Sequence, residues 1–157
     1  GLHMTRDDSK SAVVREPISD RQEIDFALIE AFFFAYRDFT SDPDAILEAF
    51  GFGRAHHRVL HFVNRQPGLT VAELLDILKI TKQSLARVLK ELIDSGFIAQ
   101  IPGPKDKRQR ELYPSEKGRD LALRLALPQS RRIGKALEFS GVGARDHVDR
   151  FLKAMAG

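Results

Sequence analysis

The chain has 157 residues, 43% of them hydrophobic, with 25 Lys and Arg against 22 Asp and Glu and no cysteine. That length suits about one domain's worth of core, no run approaches the roughly 18 apolar residues of a membrane span, and disulfide, thiolate-metal and thiol-redox chemistry are excluded. The net charge of +3 is unevenly spread: residues 1–50 hold five basic and eleven acidic side chains and residues 51–157 hold twenty and eleven, so one part suits a polyanion and another does not.

Residues 1–19 are polar and aperiodic and read as a flexible tail, its first four residues having the look of a tag remnant. From Asp20 to Phe39, Ile24, Leu28, Phe32, Ala35 and Phe39 recur on one side of a helix and Phe26, Ile29, Phe33 and Tyr36 on another, so this helix is expected to be buried on two faces. Ser41-Asp42-Pro43-Asp44 then offers a cap and a first-turn proline for a new short segment, which Gly51 and Gly53 stop. A helix is predicted from Arg54 to Arg65, ending at Pro67-Gly68. Thr70-Val-Ala-Glu73 is a capping box that starts a short helix with Val71, Leu74, Leu75 and Leu78 on its apolar face. Thr81 caps another, Lys82 to Ser95, whose stripe Leu85, Val88, Leu89 and Leu92 leaves Gln83, Arg87 and Lys90 outward, with Lys82 and Ser84 flanking at the first turn.

After Gly96, Phe97–Ile101 and Gln109–Tyr113 read as two strands joined by a basic tip. Ser115-Glu116 restarts helix, Pro128 is expected to kink it before it runs on to about Glu138, and Val148, Phe151, Leu152 and Met155 give a terminal amphipathic helix. The expected fold is mainly α with a small β-hairpin wing: a winged helix-turn-helix at 54–114, flanked by helical dimerisation segments at 20–53 and 115–157. Such a module places one helix in the major groove of DNA. The stretch PGPKDKRQREL puts Lys105, Lys107, Arg108 and Arg110 on the wing, where they can reach phosphates or a narrow minor groove. Thr81, Lys82, Gln83, Ser84, Arg87 and Lys90 are the candidate contacts on the helix, Arg87 and Gln83 being best suited to base edges.

At these residues the sequence resembles the MarR family of bacterial transcription regulators. The resemblance runs from about Asp20 to Ala156 through PGLTVAELLDILKITKQSLARVLKELIDSGFIAQ, the wing with Asp106-Lys107-Arg108, and LYPSEKGRDLA. It implies that Asp106 braces the wing while Arg108 enters the minor groove, and that the protein is an obligate homodimer built by its terminal helices. It also implies a small aromatic or anionic effector bound between the dimerisation part and the DNA-binding lobe. Double-stranded DNA with a pseudo-palindromic operator is the expected partner, repression the expected mode, and the cytoplasm the expected location. Two departures from the family pattern, Lys79 where glycine is common and Leu75 where a small residue is frequent, suggest an altered turn.

His57 and His61 stand at i, i+4, a spacing that can hold zinc if a third ligand is near. His56 is adjacent, but no His-Glu-x-x-His pattern accompanies them, so they read as structural histidines or as lining of the effector pocket together with Phe33 and Tyr36, and neither metal nor cofactor is expected. No nucleophile elbow or phosphate-cradling loop points to catalysis. The competing reading is a winged-helix module used for protein-protein assembly, since fold alone does not fix function.

Overall fold

The computed structural model describes residues 12–19 and 23–157. The expected tail up to Ser11 and the expected helix start at Asp20 lie outside the described residues, and 12–19 carry no helix or strand. Among the described residues there are six helices and three short strands: α1 Phe26–Glu48, α2 Arg54–Arg65, β1 Leu69–Thr70, α3 Val71–Leu78, α4 Lys82–Asp94, β2 Ile98–Pro102, β3 Arg110–Pro114, α5 Glu116–Ser140 and α6 Ala144–Met155. The chain forms two compact units, 1–36 and 37–157.

In the first unit, Asp25 caps α1 by accepting the Leu28 N–H at 3.0 Å. The expectation of burial on two faces does not hold within the chain, because Leu28, Ile29, Phe33, Phe34 and Tyr36 are all exposed, Phe33 by 69%.

Nor does α1 break at Ser41-Asp42-Pro43-Asp44, which runs through the helix interior. A proline there lacks an N–H and crowds the carbonyl four residues back, that of Phe39. The Phe39 carbonyl finds another donor: the Gln129 side-chain amide donates to Phe39 O at 3.3 Å, and Pro43 itself is buried. Ser41 Oγ, expected to cap a new helix, donates instead to Asp38 O at 2.9 Å.

The core of the second unit gathers one stripe from each element: Leu47 of α1, Val59, Leu60 and Val63 of α2, Leu74 and Leu78 of α3, and Leu85, Val88, Leu89 and Leu92 of α4. Leu69, Ile98 and Leu112 of the sheet, Phe97 just before β2, and Leu121 and Leu125 of α5 complete it. The expected hairpin is the larger part of a three-stranded antiparallel sheet of order β1-β3-β2. Gln100 and Leu69 both pair with Leu112, so the wing is stitched directly to the strand that leads into α3. Ser115 Oγ caps α5 through the Gly118 N–H at 3.0 Å and donates to Gly96 O at 2.6 Å. Asn64 ties α2 to α5, accepting from Arg119 Nε at 3.2 Å.

Candidate nucleic-acid interface

Local caps place the two helices of the candidate interface. Thr70 Oγ1 accepts the Glu73 N–H at 3.1 Å while Glu73 Oε1 accepts the Thr70 N–H at 3.1 Å, which closes the capping box and holds the Glu73 carboxyl below its ordinary range. At the other end of α3, Lys79 takes the left-handed conformation (φ 53°, ψ 44°) and its N–H reaches Leu75 O at 2.9 Å. The turn therefore closes in a conformation that favours glycine although the residue is lysine. Thr81 then caps α4 by accepting the Ser84 N–H at 3.1 Å.

With Leu85, Val88, Leu89 and Leu92 buried, Lys82, Gln83, Arg87 and Lys90 are exposed, Thr81 is exposed at the cap, and Ser84 is half-buried. Two of the cations are paired along the helix: Arg87 Nη1 with Glu91 Oε1 at 2.9 Å and Lys90 Nζ with Asp94 Oδ2 at 2.6 Å. A pair as exposed as Lys90–Asp94 is worth only about 0.3–0.5 kcal/mol, so its exchange for a phosphate is cheap.

On the wing, Asp106 Oδ1 accepts the Arg108 N–H at 2.9 Å, and the tip is closed by Gly103 N–H to Gln109 O at 2.7 Å and Gln109 N–H to Asp106 O at 3.0 Å. A Cβ on Gly103 would press on both the Asp106 and Gln109 carbonyls, so this tight tip requires the glycine. The side chains of Lys105, Lys107, Arg108 and Arg110 are exposed and, among the described residues, form no ion pair. Uncompensated positive charge is thus held on a braced hairpin.

Sequence reasoning missed what stands behind Arg87. Glu91 Oε2 also accepts from Nε2 of the buried His56 at 3.1 Å, and His56 Nδ1 accepts the Gly53 N–H at 3.0 Å. The one available signal was Glu91 lying four residues after Arg87. Of the residues assigned to an effector, Phe33 and Tyr36 are exposed in the first unit, while His57 and His61 stand on α2 in the second. Burial lowers the pKa of both histidines, helped by His61 for His57 and by Arg65 for His61.

Residues 50–109 match the model of the MarR family. The HTH-type transcriptional regulator PetP of Rhodobacter capsulatus is 50% identical over 127 residues, spanning 81% of this chain and 76% of PetP. The chain belongs to the MarR family. It is accordingly a transcriptional regulator and not an enzyme. Solved structures share the winged-helix fold at lower identity. The MarR protein from Peptoclostridium difficile superposes with a TM-score of 0.72 at 19% identity, covering 90% of this chain and 93% of that one. The transcriptional repressor CouR, bound to a 23-mer DNA duplex, superposes with a TM-score of 0.70 at 23% identity, covering 92% and 100%. Among the described residues, no helix of this MarR-family chain is long and apolar enough to cross a membrane.

Proposed function

We propose that this chain is a cytoplasmic, homodimeric DNA-binding repressor: α4 enters the major groove, the wing lies along the adjacent minor groove, and the operator is a pseudo-palindrome. The observation that carries the reading is the unpaired charge of Lys105, Lys107, Arg108 and Arg110 on a hairpin braced by Asp106, in one compact unit with an α4 whose outward face is Lys82, Gln83, Arg87 and Lys90. An assembly module gains nothing from four uncompensated cations on one tip, whereas a polyanion does. CouR, a repressor bound to duplex, extends the same reading to this chain. In the proposal Gln83 and Arg87 read base edges, and Thr81, Lys82, Ser84, Lys90, Lys105, Lys107 and Arg110 approach phosphates. Arg108 enters the minor groove. Segments 20–53 and 115–157 form the dimer, and a small aromatic or anionic effector modulates affinity.

Gel shifts with genomic fragments at two salt concentrations test it. Log affinity should fall linearly with log salt, and Arg108→Ala should weaken binding on every sequence and reduce that slope by about one. Arg87→Ala should relax preference at one base pair of each half-site, with half-sites about one helical turn apart. Undiminished footprints from folded Arg108→Ala protein, or a wild type indifferent to duplex, overturn the reading.

A further inference from the structure

We propose that Glu91, anchored by the buried His56, is a specificity-determining positioning residue that orients Arg87 for a single base pair. The proposal rests on the DNA-binding reading above. An exposed Arg-Glu pair one helical turn apart ordinarily fluctuates, because both side chains are long and solvated. Here the carboxylate end is fixed. Glu91 Oε1 takes Arg87 Nη1 at 2.9 Å and Oε2 takes His56 Nε2 at 3.1 Å, so both oxygens are occupied.

His56 is only 4% exposed, its ring lies on Phe52 with centroids 4.5 Å apart and planes 12° apart, and its Nδ1 accepts the Gly53 N–H. Since a backbone N–H can only donate, Nδ1 of neutral His56 bears no proton and Nε2–H points at Glu91. A directed chain of hydrogen bonds thus runs from the loop after α1, through His56 and Glu91, to the guanidinium. The His56 bond holds the Glu91 carboxyl below its ordinary range, with Arg87 assisting, so the carboxylate stays charged. Arg87 remains 65% exposed, and its planar fork presents further N–H groups for the paired acceptors of a guanine edge. Orientation of that fork, unlike charge, bears only on base readout.

The alternative role for Glu91 is a competitor that neutralises Arg87, and the two roles separate experimentally. Affinities would be measured for a selected operator and its single-base-pair variants, using wild type, Arg87→Ala, Glu91→Gln, His56→Phe and the Arg87→Ala/Glu91→Gln double variant, with melting curves for each. Glu91→Gln should lose about tenfold discrimination at the same base pair as Arg87→Ala, keep the wild-type salt slope, and add nothing to Arg87→Ala in the double variant. His56→Phe retains the ring stack but deletes both hydrogen bonds and, where its melting curve shows it folded, should lose discrimination at that base pair alone. The inference is overturned if Glu91→Gln keeps its discrimination, tightens binding equally on all sequences, or loses preference evenly along the site. If wild type discriminates but Arg87→Ala changes no base preference, this inference fails while the DNA-binding reading stands. If wild type ignores duplex, both fail.

Discussion

Gly118 sits in the first turn of α5, where a Cβ built on it would overlap the carbonyl oxygen of Phe97. In an ordinary helix Gly→Ala stabilises by about 0.5–1 kcal/mol; here the overlap with backbone should reverse the sign and cost about 1–3 kcal/mol, as overpacking does. Urea denaturation of Gly118→Ala against wild type reads the difference, and an unchanged or raised midpoint would contradict the close approach. Lys79 presents the opposite case. A left-handed lysine costs about 1–2 kcal/mol, while glycine adds about 0.5–1 kcal/mol of unfolded-state entropy. Lys79→Gly should therefore raise stability by up to about 1.5 kcal/mol in the same titration. The sequence marked Lys79 as a departure from the family pattern, but not that the backbone would absorb it. It marked Gly118 only as part of a familiar segment, because the atom that forbids a side chain belongs to a residue 21 positions away.

Elements whose determinants lie within three or four residues were readable from the chain. Thr70 with Glu73, Thr81 with Ser84 and Ser115 with Gly118 cap their helices where the local pattern places them, and the α4 stripe Leu85, Val88, Leu89 and Leu92 is buried as its spacing requires. Elements settled by distant partners were not. Strand β1 has two residues and exists through Leu69 and Thr70 pairing with Leu112 and Glu111. Helix α1 continues through Pro43, and the Phe39 carbonyl that the proline leaves without its helical donor is served by Gln129, 90 residues after Phe39. Gln129→Leu should leave that carbonyl unsatisfied and lower stability by about 1–3 kcal/mol, with a matching loss of helical signal on heating. Helix α2 supplies a pH effect. Burial depresses the pKa of His57 and His61 in the folded chain below the ordinary value near 6.5. The unfolded chain therefore binds more protons as pH falls below about 6.5, and the stability held above that value is lost toward acid. Replacing both histidines with glutamine should flatten the decline of melting temperature from neutral toward acid; an unchanged slope would show that the two rings do not set it.

At the scale of the whole molecule, the terminal helices expose what a stable monomer covers. No residue of α6 is buried, and Val148, Phe151, Leu152 and Met155 are all exposed, as are Leu127 and Phe139 of α5. Solvated apolar surface of this extent is characteristic of subunit interfaces, where the obligate class resembles a domain core cut in half. A second copy of the chain, related by a twofold axis, would cover these side chains and would also set two α4 helices against two half-sites. Dimerisation and operator affinity should then be lost together. On the proposed dimeric reading, a chain ending at residue 144 should sediment as monomer or aggregate, and the full chain should sediment as dimer. Soluble monomer should bind a single half-site about as well as a full-length subunit does, yet lose at least about a hundredfold on the two-half-site operator, since linked sites gain about 10²–10⁴ in avidity. A truncated chain that still sediments as a soluble dimer, or that grips the full operator with undiminished affinity, would place the dimer seam elsewhere on the molecule.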